Sequence, residues 1–207
     1  MFLARSATIS SMQRLSIDPL DTDRLNLRCP RIDDAPVLAK MMTPAISRWL
    51  ASWPLPFTQE DMEDKITKSW EALAKNQAIF LTIEAKSDQT IIGWIGVARC
   101  AGNTRRGALG YWLGEAYHGS GYGVEAATAA VSAAFQYLDL DTIEAGAQFE
   151  NHVSFSVMRR LGMKPIGQRI VWASARDREE LYPFLRGRAT HGSQAKLDRS
   201  PIRIADL

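Results

Sequence analysis

One junction constrains this chain more than any other. Leu109-Gly110-Tyr111-Trp112-Leu113 is an apolar run of strand type, and from Val124 onward apolar residues recur at spacings of three and four. Between them lies His118-Gly119-Ser120-Gly121-Tyr122-Gly123, with glycine at three alternate positions. A period that switches from strand to helix across such a loop predicts a strand, a tight turn and a helix N-terminus in succession. The first amides of a helix have no partner within it and sit at the positive end of its dipole. Glycine permits positive φ and lets a ligand approach the backbone closely. Strand, glycine loop and helix together make a cradle for a phosphate. Glycines alone also suit a plain tight turn, so the motif needs its context.

Around this junction the pattern changes in short segments. Alternation in Arg24-Leu25-Asn26-Leu27-Arg28 predicts a strand stopped by Pro30. Asp33 and Asp34 ahead of Pro36 predict a helix start, with Pro44 closing the segment. Residues 45–58, with Trp49, Trp53, Pro54 and Pro56, predict no regular element. Thr58 and Asp61 form a capping-box pattern for a helix reaching about Lys75, with Met62, Ile66, Trp70 and Leu73 on one face. Runs at 79–83 and 91–97, joined by the polar turn 86–90, read as a hairpin; a turn at 102–104 adds the run at 108–113. The result is a three-stranded antiparallel meander. In the helix after Gly123, Val124, Ala127, Val131, Ala134, Phe135 and Leu138 lie on one side. Ala126, Ala129, Ala130 and Ala133 lie on the other, and would let the helix approach a sheet. Residues 142–149 read as a strand. Val153, Val157 and Leu161 mark a shorter helix with Gly162 as its cap, and strands follow near 163–172 and 179–185. This order predicts an α/β (α+β mixed) domain on one sheet, spanning 22–187 between a flexible leader (1–21) and a tail (188–207).

Composition excludes several classes. Hydrophobic residues make up 46% and charged residues 23% of 207, which excludes a disordered or collagen-like chain. Lys and Arg number 25 against 23 Asp and Glu, a formal charge of +2, so there is no electrostatic case for a nucleic-acid or anionic membrane partner. Cys29 and Cys100 stand alone, which argues against a zinc site and fits reduced thiols in a cytoplasmic protein. No apolar run is long enough for a membrane span, and Met1–Ser16 lacks the apolar stretch of a signal peptide. A homodimer is left open.

The glycine loop lacks the lysine of a Walker motif, and Gly119-x-Gly121-x-Gly123 is not the Rossmann spacing. Instead, His118 to Gly123 resembles the Gln/Arg-x-x-Gly-x-Gly/Ala loop of GNAT N-acetyltransferases. Three further matches follow in order. Residues 22–28 are similar to the first strand of the RimJ/RimL-type branch. Asn151-His152-Val153-Ser154 resembles its Asn-x-x-Ser helix, and Leu161-Gly162-Met163 its Leu-Gly-Phe end.

The resemblance implies a mostly antiparallel sheet with a V-shaped splay between central strands, and acetyl-CoA as acetyl donor to a primary amine. It implies that the amides of Gly119, Ser120, Gly121, Tyr122, Gly123 and Val124 hold the pyrophosphate, with His118 as a donor beside it. The pantetheine arm would lie along Trp112 and Leu113, bonded by Asn151, and the Leu113 N–H would polarise the thioester carbonyl. Many members donate a proton to the thiolate from a Tyr seven residues after the Asn. Here that position is Met158, and Ser154 is the substitute, unless its hydroxyl bonds locally to the helix backbone. Ala108 stands where a Glu base is often found. Glu115 and Glu144 are near in sequence, but Glu115 fits a loop cap and Glu144 a solvent-facing position, so no base is assigned. Trp49 and Trp53 fall in the segment that walls the acceptor site in the family, and also fit core packing. The alternatives are a non-catalytic acyl-CoA-binding module of the same fold and a nucleotide-binding protein.

Overall fold

The computed structural model of the chain describes residues 17–189. Eight strands form one sheet in the order β1-β2-β3-β4-β5-β6-β8-β7. They are β1 (Leu20–Asp21), β2 (Leu25–Arg28), β3 (Ala78–Ala85), β4 (Ile91–Cys100), β5 (Asn103–Leu113), β6 (Thr142–Gly146), β7 (Lys164–Ala173) and β8 (Arg178–Arg188). All neighbours are antiparallel except β5 and β6, which run parallel. The predicted meander is β3-β4-β5. The helices are α1 (Ala35–Met41), α2 (Pro44–Ser47), α3 (Gln59–Ala74), α4 (Tyr122–Tyr137) and α5 (His152–Arg160). Among the described residues no helix is long and apolar enough to cross a membrane.

Each face of the sheet carries its own core. On one, α4 packs against β2, β4 and β5. Its buried side is Ala126, Ala127, Ala130, Ala133 and Ala134, while Val124, Val131 and Phe135 are only partly buried. The small residues bring the helix axis close to the strands as expected, but the buried side is turned from the predicted one: Ala127 and Ala134, expected on the opposite side, are buried, and Ala129 is only partly so. On the other face α1 and α3 pack with Trp53, Trp94 and Trp112. Helix α3 begins at the predicted capping box: Thr58 accepts from the Asp61 amide at 3.1 Å, and the Thr58 amide donates to Asp61 at 2.8 Å. Its predicted face, Met62, Ile66, Trp70 and Leu73, is buried. Beside it the buried Asp34 carboxylate receives both terminal nitrogens of Arg28, at 2.8 and 2.7 Å, and the Thr82 hydroxyl at 2.9 Å, which ties β2 to β3.

The structure corrects several boundaries. Ile17 and Leu20 are buried in the core and Leu20–Asp21 pairs with β2, so 17–21 belongs to the fold rather than to a leader. The rest of that leader lies outside the described residues, as does the predicted tail beyond 189. Pro44 opens α2 at its first turn, where a missing N–H costs nothing, so the segment predicted as irregular starts with a helical turn. The strand predicted over 142–149 ends at Gly146. In α5, Val153 is 73% exposed and the buried residues are Phe155, Val157 and Met158, so the helix is rotated from its predicted face. Gly162, at φ +74, follows the Leu161 cap as predicted.

Candidate active site

The glycine loop joins β5 to α4. A 3-10 turn at Glu115–Tyr117 leads into it, and Gly121 is the N-cap of α4. Gly119 and Gly121 have φ of +77 and +83, in the left-handed region that side chains disfavour. Among the described residues, the amides of Gly119, Ser120, Gly121, Tyr122 and Gly123 have no hydrogen-bond acceptor. The Val124 amide differs: it donates to the Gly121 carbonyl at 3.2 Å, so it is turned into the helix rather than toward a phosphate. A clamp not read from the sequence holds this loop. Glu125, in the first turn of α4, accepts from the Thr22 hydroxyl at 2.6 Å and from the Arg24 amide and Nε at 2.8 and 2.7 Å. Arg24 then donates to the Ser120 carbonyl at 2.9 Å and covers the Tyr122 ring. Burial pushes the Glu125 carboxyl up, but the bonds from Thr22 and Arg24 outweigh it and hold the group below its ordinary range.

Strands β5 and β6 pair only over Arg106–Thr142, Gly107–Ile143 and Ala108–Glu144. Beyond that they separate. The Gly114 amide donates to the Ile92 carbonyl at 2.9 Å, and Leu113 is paired with Gly93. Antiparallel pairs alternate between bonded and non-bonded, so the Leu113 N–H and C=O face away from β4 and into the splay. The His118 Nε2 lies 2.9 Å from the Leu113 carbonyl, which can only accept, so Nε2 carries the proton. That ring nitrogen is committed to the backbone, which corrects the expectation of a phosphate donor at this position. Asn151 caps α5, its Oδ1 accepting from the Ser154 amide at 3.1 Å. The Ser154 hydroxyl lies 3.1 Å from the Tyr111 hydroxyl rather than on the helix backbone. Burial raises the Tyr111 pKa, and its bond to Ser154 offsets only part of that.

Two cavities meet at the splay. One, of about 360 Å³, is lined by Leu113, the glycine loop, Val157 and Arg160. The other, of about 680 Å³, lies on the α3 face between Trp53, Lys65, Phe80, Tyr182 and Phe184. Tyr111, Trp112, Asn151 and Ser154 line both. Ala108 and Gly110 are exposed in mid-sheet within the larger one, and a Cβ on Gly110 would meet nothing within 4 Å. Trp112 packs edge-on to Trp53, with centroids 5.5 Å apart, so its indole is a core ring as well as a lining one. Glu144 is not solvent-facing as expected: its side chain is 1% exposed. Its carboxylate receives Arg186 Nε at 2.7 Å and Arg169 Nη1 at 2.5 Å, with Arg106 3.8 Å away. Burial raises its pKa, but the arginine bonds win and hold it below the ordinary carboxylate range, which makes it a poor base. Glu115 is exposed and bonded to the Thr43 hydroxyl.

A family model described as an acetyltransferase (GNAT) domain matches residues 24–164. The chain belongs to the GNAT family. As a GNAT protein it is an acetyl-CoA-dependent N-acetyltransferase. A curated relative, the uncharacterized N-acetyltransferase p20 of Bacillus licheniformis, is 28% identical over 153 residues, covering 73% of this chain and 85% of p20. Among solved structures, the ribosomal-protein-S5-alanine acetyltransferase of Vibrio fischeri has a TM-score of 0.71 at 19% identity, covering 83% of this chain and 97% of that one. RimJ of Mycobacterium smegmatis, solved with CoA-disulfide, has a TM-score of 0.71 at 17% identity, covering 84% and 87%. These structures share the GNAT fold with this chain, including the predicted mixed sheet.

Against that fold, the sequence reading missed Tyr111 and Arg24. Tyr111 stood in the quoted strand, but only the register of β5 against α5 puts its hydroxyl on Ser154. Arg24 read as a strand residue, and nothing local links it to a loop 96 residues away. Trp49 and Trp53 were read both as core and as acceptor wall. Trp53 packs in the core and also lines the larger cavity, and Trp49 is half-buried and lines both cavities.

Proposed function

We propose that this GNAT enzyme acetylates a primary amine in a RimJ/RimL-like site, with donor and acceptor entering the splay from opposite faces of the sheet. The unpartnered amides of Gly119–Gly123 carry this reading, because five adjacent donors at a helix N-terminus suit a diphosphate. The pantetheine arm runs from there past Asn151, its amides pairing with main-chain groups of β5 and β6 beyond Ala108, where the two strands no longer pair with each other.

The amine nitrogen attacks the thioester carbon, and the carbon–sulfur bond breaks as the amide bond forms. The Leu113 N–H stabilises the oxyanion. The departing thiolate takes a proton from Ser154, which is refilled from the Tyr111 hydroxyl; the proton lost by the amine passes to water and restores the pair. Burial keeps Tyr111 protonated, as a donor must be. An α-amine, with a pKa of about 7.7–8.0, is partly neutral at pH 7, so no carboxylate base is required. The two unpaired cysteines support a cytoplasmic setting.

Calorimetry with acetyl-CoA and thiol release across a panel of amines test this together. Binding with turnover of at least one amine is expected. Binding without turnover of any amine would favour the non-catalytic alternative, and no binding would overturn the placement of the diphosphate.

A further inference from the structure

The larger cavity has donors without acceptors. Lys65 lies 4.4 Å over the Trp53 ring and gives one bond, to the Ser52 carbonyl at 3.2 Å, out of the three an ammonium can make. Lys68, one turn on, is exposed and has no ion pair among the described residues. Glu144 is the one carboxylate among the lining residues, and three arginines already surround it. The remaining surface is mostly aromatic or small, with Leu50, Leu109, Met158, Val171 and Asn151 among it, and the floor is left bare at Ala108 and Gly110.

A cationic acceptor would find no free anion here and two like charges at the rim. An acceptor bearing a carboxylate would find two ammonium groups. We propose that the acceptor is a primary amine with an apolar body that carries a carboxylate, held by Lys65 and Lys68 while its body lies over Ala108 and Gly110. This rests on the acetyltransferase reading above and names the substrate class of that site.

Three dipeptide amides with a free α-amine test it: Phe-Glu, Phe-Gln and Phe-Arg, compared by kcat/KM in a thiol-release assay. The first two differ in charge at nearly constant shape. Two ammonium groups near one carboxylate in a partly desolvated cavity should favour Phe-Glu over Phe-Gln by about ten-fold or more, with Phe-Arg lowest. The preference should fall in 1 M salt, where the Debye length is about 3 Å. In the Lys65→Met/Lys68→Met variant the Glu-to-Gln ratio should drop toward one. Should that variant fail to fold, the salt dependence of the native enzyme decides alone. Equal rates for Phe-Glu and Phe-Gln, a preference for Phe-Arg, or a ratio insensitive to salt would overturn the assignment. Acetyl-CoA binding with no turnover of any of the three would also overturn it and leave the donor site standing, whereas loss of acetyl-CoA binding would strike the donor site itself.

Discussion

Replacing Gly121 by valine tests the donor site at its most demanding position. Gly121 sits at φ +83 and ψ −4, and its carbonyl accepts the amides of Val124 and Glu125, each at 3.2 Å. A β-branched residue in the left-handed region is disfavoured by about 1–2 kcal/mol. The new Cβ would also stand 3.4 Å from Arg24 Nη2. Relaxing to negative φ turns the flanking peptides, which draws the Ser120 carbonyl off Arg24 and rotates the amides that face the ligand. A hydrogen bond to a charged group contributes about 1.5–3 kcal/mol, so losing one should raise the acetyl-CoA Kd by roughly 10- to 150-fold. The strain alone should lower Tm by about 2–8 °C for a domain of this size. Gly123→Ala is the control. Gly123 is the second residue of α4, and its Cβ would make ordinary contacts at 3.7 and 3.8 Å with Val157 and Leu113. It keeps the amide and strains no backbone angle, so it should lose much less affinity than Gly121→Val and be slightly more stable, because alanine favours a helix over glycine by about 0.5–1 kcal/mol. Isothermal titration calorimetry and thermal melts on the three proteins read both quantities. Native affinity in Gly121→Val, or an equal loss in Gly123→Ala, would refute the proposal that these amides hold the diphosphate.

The remaining predictions concern the proton path and the buried carboxylate. Ser154→Ala and Tyr111→Phe should each lower kcat by about 10²-fold or more while the acetyl-CoA Kd changes little, and the double variant should be no worse than either single one if the two hydroxyls act in series; unchanged turnover in Ser154→Ala would remove the path. Glu144→Gln leaves three arginines facing no anion. Breaking a buried pair costs about 3–5 kcal/mol, and since the arginine side chains retain 29–40% exposure the lower end applies. About 3 kcal/mol corresponds to a fall in Tm of roughly 6–12 °C. Because the folded pKa of Glu144 is depressed, its contribution is present above the unfolded value of about 4.3 and is lost as pH falls through the folded one. The melting difference between native and variant protein should therefore shrink in acid, and a constant difference would show that packing rather than charge was lost.

Much of this protein was legible in its sequence because the signals were local. The capping box at Thr58, the small residues that bring α4 close to the sheet and the meander all follow from spacing within a few residues. The glycine loop was legible for the same reason: a strand, three glycines and a helix lie within one short stretch. The misreadings arose where partners are distant. Glu144 faces inward because β5, β7 and β8 each bring an arginine to it. The His118 ring turned to the Leu113 carbonyl because the splay had left that carbonyl without a strand partner.

Sequence by itself determined most of the elements, the glycine loop before α4, and the Ser154 position on its helix. Tertiary structure decided which side chains share a space: Tyr111 with Ser154, Arg24 with Ser120, and Lys65 with the aromatic cavity. The physical reason is one of range. Propensity, capping and periodicity act within a turn or two of chain, whereas the chemistry of the site depends on groups that only sheet register and helix packing bring within hydrogen-bonding distance.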